Sequence, residues 1–253
     1  MAELLLQDAR KLLGRVREQT DGVIVACSGG KDSLVALDLC HDVFERVEMF
    51  FLYFVRDLDC DEQFVRRAEK RYGITAHRFP SPLLATYLQS GFLARRGYRL
   101  RRAYKWADAE HAARERTGLE WIVSGMRMDE SLQRRGMLKT RQGFWPEIKR
   151  VYPLWNWRAK QVLAYLRSRR IEIPTPLGSA DAAGIGFADK TLAVLREKFP
   201  NDYEKIKRQF PFLATQEARN EWFGSEAEPV PEVRDEASPP AGADESAVQS
   251  PQD

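Results

Sequence analysis

Hydrophobic positions along this chain fall into two rhythms. Between residues 3 and 18, Leu4, Leu5, Leu12, Leu13 and Val16 recur among charged neighbours, a spacing that predicts an amphipathic helix. After the turn at Asp21-Gly22 comes a short unbroken apolar run, Val23 to Cys27, which predicts a buried strand. A glycine-rich turn follows, then a helix from about Asp32 to Phe44. Val47 to Val55, interrupted only by Glu48, predicts a second strand. A helix from about Asp61 to Tyr72 is closed by Gly73, a residue suited to a helical C-terminus. Ile74 to Phe79 predicts a third strand that ends on the breaker Pro80-Ser81-Pro82. Residues 83–118 read as helical or irregular and strongly basic. Leu119 to Ser124 resembles another buried strand, and residues 158–170 a further amphipathic helix stopped by Pro174 and Pro176.

Strands that alternate with helices imply an α/β fold, here a doubly wound, mostly parallel sheet with helices on both faces. In such folds ligands sit beyond the carboxyl ends of the strands, where the glycine-rich turn falls. Residues 1–224 are expected to form this domain. Residues 225–253 carry eight acidic side chains and one arginine, lack a hydrophobic period and are expected to form a disordered acidic tail. The tail's net −7 within a total of +3 leaves about +10 on the preceding residues. A basic body suits an anionic ligand such as a nucleotide, a polyphosphate or nucleic acid, although a solvated basic surface reads the same way. No apolar run approaches the roughly 18 residues of a membrane span, and the start of the chain lacks the pattern of a signal peptide. A cytoplasmic location, with no membrane partner, is therefore expected.

The turn itself is Ser28-Gly29-Gly30-Lys31-Asp32-Ser33. Two glycines after a strand let the backbone turn sharply and present N–H groups, with no Cβ in the way of an anion. The following helix points its positive end at the same place. Ser28 and Ser33 offer hydroxyls and Lys31 a full charge, while Asp32 is suited to capping the helix or holding Mg²⁺. A surface turn with ordinary caps is the plain alternative. The loop is shorter than the Walker form.

Beyond the loop, Gly125-Met126-Arg127-Met128-Asp129-Glu130-Ser131 follows a late strand, with Arg134 after it. A planar guanidinium matches phosphate or sulfate oxygens, and Glu130 is placed to orient either arginine; alone, Glu130 and Arg134 read equally as a helix-surface ion pair. Tyr152-Pro153-Leu154, Trp157, Val162 and Tyr165-Leu166 come next, then Pro174-Thr175-Pro176-Leu177 and Gly184-Ile185-Gly186. In this order, over about residues 20–190, the chain resembles the PP-loop adenine nucleotide α-hydrolase-like proteins, in their phosphoadenylyl-sulfate (PAPS) reductase branch. The resemblance implies a nucleotide site made from Ser28, Gly29, Gly30, Lys31, Asp32, Ser33, Gly125, Arg127, Glu130, Ser131 and Arg134. Lys31, Asp32 and Arg127 are its candidate catalytic residues and Asp32 its candidate Mg²⁺ ligand, with ATP or PAPS as the nucleotide.

The resemblance breaks at the cysteines. Reductases of the branch attack the sulfonucleotide with a C-terminal cysteine, and this chain has no cysteine after Cys60; Phe187 stands where relatives can carry one. Cys27, Cys40 and Cys60 also lack the number and spacing for an iron–sulfur cluster. Asp57 and Asp59 stand in place of the family's second-strand turn and are left outside the site. Three readings follow. One is an ATP-dependent enzyme that cleaves between the α- and β-phosphates and adenylates an acceptor. Another is PAPS binding or reduction with a thiol supplied by a protein partner. The third is a non-catalytic nucleotide-binding subunit of a nucleic-acid-associated complex. The run Arg95, Arg96, Arg99, Arg101, Arg102 and Lys105, interleaved with Tyr98, Tyr104 and Trp106, is the candidate nucleic-acid contact. Trp121, Trp145, Trp155 and Trp222 are expected to pack in the core, and His41, His77 and His111 receive no role.

Overall fold

The computed structural model describes residues 2–91, 102–172 and 189–215, together with Ala218 and Trp222. The elements run α1 (Ala2–Arg17), β1 (Gly22–Cys27), α2 (Lys31–Val43), β2 (Arg46–Tyr53), α3 (Asp59–Tyr72), β3 (Ala76–Pro80), α4 (Pro82–Ser90) and α5 (Trp106–Thr117). They continue with β4 (Ile122–Ser124), α6 (Leu132–Arg141), β5 (Phe144–Trp145), β6 (Arg150–Val151), α7 (Ala159–Ser168), α8 (Asp189–Lys198) and α9 (Pro200–Gln209). A single 3-10 turn, Pro146–Ile148, joins β5 to β6.

The six strands form one sheet in the order β3-β2-β1-β4-β6-β5. All neighbours are parallel except β5 and β6. The chain winds outward from β1 to β3, then returns to lay β4 on the other side of β1. The strand order therefore reverses between β1 and β4, and ligands of such sheets bind in the crevice this opens at the carboxyl ends.

Strand alternation explains the two layers. Val23 and Val25 of β1 point to one face, where Leu13, Val16, Val35, Leu39, Val65, Val162 and Leu166 from α1, α2, α3 and α7 cover them. Ile24 points to the other face and packs with Phe50, Ile122 and Ala113 of α5. Each such aliphatic side chain taken fully from water contributes about 1.5–3 kcal/mol. A third cluster joins α4, α8 and α9 over the β2–α3 connection, through Leu58, Leu84, Tyr87, Leu195, Ile206 and Phe210.

Several expectations shift. Pro80-Ser81-Pro82 does not merely end β3. Ser81 caps α4 by accepting the Leu84 N–H at 3.0 Å, and Pro82 sits in the first turn, where its missing donor is harmless. The strand expected from Leu119 begins only at Ile122. Helix α7 stops at Ser168, ahead of the prolines, as Arg170 turns the chain with φ 53°. Trp222 is 83% exposed and packs in no core, whereas Trp121 is buried. Residues 173–188, with the Pro174–Leu177 and Gly184–Gly186 segments and Phe187, lie outside the described residues, as does the tail 225–253.

One buried carboxylate fastens the helical layer. Asp38 of α2 accepts the hydroxyls of Tyr72 (3.0 Å) and Tyr165 (2.8 Å) and the Arg169 Nε (2.7 Å). It is only 2% exposed, so truncation would leave three donors short of a partner. Asp38→Ala is expected to cost about 3 kcal/mol in urea unfolding.

Candidate functional site

At the end of β1 the chain turns through Ser28, Gly29 and Gly30 into α2. Gly29 holds φ 79°, a left-handed conformation that side chains resist, so glycine is required there. Gly30 is the N-cap and brings no capping side chain, so no side chain closes the positive end of α2 from that position. The capping role offered to Asp32 is thus not used, because Asp32 lies inside the first turn. Ser28 is exposed at the loop. Ser33 is not: its hydroxyl donates to the Gly30 carbonyl (2.9 Å) and lies 3.4 Å from the Cys27 Sγ, so it braces the loop from beneath.

Lys31 and Asp32 are neighbours in space as well as in sequence, with Nζ 3.5 Å from Oδ2. The other Asp32 oxygen accepts the Arg127 Nε at 2.6 Å. The Arg127 side chain is 4% exposed, also reaches the Trp157 carbonyl at 3.4 Å, and has Asp129 at 3.6 Å. This ion pair crosses the switch point, tying the loop after β1 to the loop after β4.

The remaining positions of the second motif support that bridge. Gly125 passes so close to α2 that a Cβ would lie 2.6 Å from the Asp32 carbonyl carbon and oxygen and 2.9 Å from the Ser33 nitrogen. The Glu130 carboxylate accepts the Arg127 N–H (3.0 Å) and the Arg134 guanidinium (2.6 Å). Ser131 caps α6 by accepting the Arg134 N–H at 3.1 Å. Arg134 remains 42% exposed, so its guanidinium is held by Glu130 and still open to solvent. All eleven residues of the expected site are described, and they divide into two roles. Ser28, Gly29, Gly30, Glu130, Ser131 and Arg134 form the rim, while Lys31 and Asp32, with side chains 11% and 16% exposed, join Ser33, Gly125 and Arg127 in the frame beneath.

No cysteine offers a ready thiolate. Burial pushes the Cys27 thiol up, against smaller lowering by hydrogen bonds from Ser33 and the Gly29 backbone. Burial also raises Cys40. Cys60 is raised by burial and then by Asp61 and Asp202.

Sequence reasoning missed Asp202 and Lys205. Asp202 of α9 is fully buried and accepts the Asp59 and Cys60 N–H groups, both at 2.8 Å, closing the N-terminus of α3. Lys205 donates to Asp202 (3.2 Å) and the Asp57 carbonyl (2.6 Å), and lies 3.6 Å from the Asp59 carboxylate. Asp57 and Asp59 are thereby engaged with α9. Nothing in the sequence marks Asp202, an ordinary acid near the start of an amphipathic helix. Next to it, Asp61 is pushed up to about 7, first by burial and then by Asp202 and Glu62. The folded protein therefore favours the protonated acid, and stability falls as pH rises from about 4 to 7, by at most about 1.4 kcal/mol per pH unit. Asp61→Asn should gain over the parent by roughly 2 kcal/mol more at pH 8 than at pH 5 in urea unfolding.

Of the basic run, residues 95–101 lie outside the described residues. Arg102 pairs with Asp108 at 2.7 Å, and the Lys105 N–H donates to the same carboxylate at the start of α5. Among the described residues no cluster of three or more His, Cys, Asp or Glu is arranged to hold a metal, and no helix is long and apolar enough to cross a membrane.

A mostly parallel sheet with a glycine loop and a helix N-terminus at its switch point defines a nucleotide-binding α/β protein of the PP-loop type. The family model described as the phosphoadenosine phosphosulfate reductase domain matches residues 22–192, and the chain belongs to that family. No curated protein matches it. Among solved structures it is similar to the PAPS reductase of Candida auris in a phosphate complex, at 15% identity over 68% of this chain and 87% of that one, with a TM-score of 0.44. It is also similar to the NH3-dependent NAD synthetase of Campylobacter jejuni (13% identity, 86% and 96% of the two chains, TM-score 0.44). The Candida glabrata FMN adenylyltransferase in complex with ATP gives 14% identity, 65% and 54% of the two chains and a TM-score of 0.43. Likenesses of this strength carry no argument about activity.

Proposed function

We propose that this protein binds ATP at the Ser28–Ser33 loop, cleaves it between the α- and β-phosphates and transfers the adenylyl group to an acceptor. The observation that carries this reading is the rim at the switch point. The glycine turn enters α2 with no capping side chain, Lys31 lies beside it, and the chain Asp32–Arg127–Glu130 ties the half-open Arg134 guanidinium to the same loop, while every thiol of the chain is buried or held protonated. Preorganised donors of this kind stabilise charge that develops on transferred and leaving phosphates. Lys31 and the loop amides hold the leaving pyrophosphate, and Arg134 meets the reacting phosphate. Arg127, expected from sequence in that last role, is a positioning residue, since its guanidinium is buried against Asp32.

Magnesium fits this site as part of the substrate. Asp32 has one oxygen on Arg127 and the other near Lys31, so its charge is already compensated within the protein. Mg²⁺ is commonly held through substrate phosphates with several waters retained, and no step here requires Asp32 as its ligand.

The family match favours a second reading, in which PAPS occupies the same crevice and a partner protein supplies the thiol. Calorimetric titration with ATP·Mg and with PAPS separates the two. The adenylating reading expects ATP·Mg to bind, Lys31→Ala to weaken it at least about tenfold, equivalent to about 1.4 kcal/mol, and pyrophosphate to be released when an acceptor is supplied. Binding of PAPS alone would transfer the assignment to the second reading, and binding without turnover would leave a nucleotide-binding subunit.

A further inference from the structure

Two cavities among the described residues lie away from the phosphate loop's charged groups. One of about 230 Å³ lies around His41, Arg46 and Thr75, near the amino ends of β2 and β3. The other, of about 270 Å³, lies where the buried side of α3 meets the first turn of α2 and the chain after α7. Its apolar part is Phe64 and Ala68 of α3, Leu34 from the first turn of α2, Ile171 after α7 and Phe199 between α8 and α9, with Cys60, Gln63 and Tyr72 also in the lining. Its edge carries three arginines, Arg67, Arg71 and Arg170, against one acid, Glu172. Arg67 meets Glu172 at 3.1 Å, and Arg71 donates to the Arg169 carbonyl at 3.0 Å. Arg170 stands at φ 53°, a left-handed conformation unusual for an arginine.

We propose that this cavity is a second ligand site, separate from the nucleotide crevice, for a compact organic carboxylate with an aromatic or branched apolar body. A cavity of about 150 Å³ accommodates benzene, so the volume here leaves room for one ring and a short acidic arm. The apolar floor gains nothing from a bare inorganic anion, whereas the arginine edge matches a carboxylate through paired N–H donors. Phe64 lies between the two sites: its ring is 3.5 Å from the position a Cβ would take on Gly29. A ligand resting on the opposite side of that ring therefore sits directly behind the phosphate loop.

The test uses the full chain and 4-fluorophenylacetate, titrated while its fluorine NMR signal is followed. Saturable binding is expected, weakened at least about fivefold by Arg71→Gln and abolished by Ala68→Phe, which fills the cavity. The neutral 4-fluorophenethyl alcohol should bind at least about fivefold more weakly than the acid. Lys31→Ala should leave the affinity unchanged, and sulfate at ten times the probe concentration should not displace it. Should Ala68→Phe fail to fold, Arg71→Gln decides. The proposal is overturned by absence of saturable binding at millimolar probe, by equal binding of the alcohol, or by an unaltered affinity in Arg71→Gln. Displacement by sulfate or loss of binding in Lys31→Ala would also overturn it, since either places the probe on a simple anion site or in the phosphate loop.

Discussion

Gly125→Ala is expected to lose about 3 kcal/mol of stability and to abolish nucleotide binding. The added carbon would lie 2.6 Å from the Asp32 carbonyl group and 2.9 Å from the Ser33 nitrogen, all of it backbone in the first turn of α2. A flexible side chain could swing aside; a helical turn cannot. Relief requires the β4 loop to withdraw from α2, which breaks the 2.6 Å Arg127–Asp32 pair and displaces the amides that face the crevice. Gly136→Ala supplies the comparison. That glycine lies in α6 with nothing near its missing Cβ, and alanine there should gain about 0.5–1 kcal/mol from helix propensity. Urea midpoints and ATP·Mg titration of both variants check the contrast. A Gly125→Ala protein within about 1 kcal/mol of the parent would mean that the two loops do not touch.

The same glycine shows how far sequence reaches in this fold. Long periodic runs were legible: β1, β2, α2 and α3 fall within a few residues of where apolar spacing puts them, and Gly73 ends α3 in the left-handed region as a C-cap should. The phosphate loop was legible because a strand, two glycines and a helix are consecutive in the chain. The second motif was legible as a set of residues, but its division of labour was not. Arg127 and Arg134 look alike in sequence, and only the packing of Gly125 on Asp32 buries the first and leaves the second in solvent. Strands β5 and β6 have two residues each, too few to express a period, and exist through pairing with each other and with β4. Helices α8 and α9 were not foreseen. Their fit depends on Leu58, Leu84 and Tyr87, distant in sequence, and on Asp202 capping a helix that begins 143 residues earlier.

Asp32→Ala is expected to cost about 3 kcal/mol, because it leaves the Arg127 guanidinium, 4% exposed, with only the longer contacts to Asp129 (3.6 Å) and the Trp157 carbonyl (3.4 Å). The effect is a penalty for a poorly compensated buried charge, and it can be told apart from loss of a catalytic carboxylate. Removing both partners, as Asp32→Ala with Arg127→Met, replaces the buried cation by an apolar chain of similar length and should recover most of the lost stability. Arg127→Met alone should cost less than Asp32→Ala: each leaves a second partner at about the same distance, but Asp32 is 16% exposed where Arg127 is 4% exposed. The double-mutant cycle in urea unfolding is expected to give a coupling of about 2–3 kcal/mol. Nucleotide binding supplies the second readout. If Asp32 acts by holding Arg127 and the loop in register, the double variant regains ATP·Mg affinity along with stability. If stability returns while affinity stays lost, Asp32 touches the nucleotide or its metal directly, and the division of the site into rim and frame has to be redrawn with Asp32 on the rim.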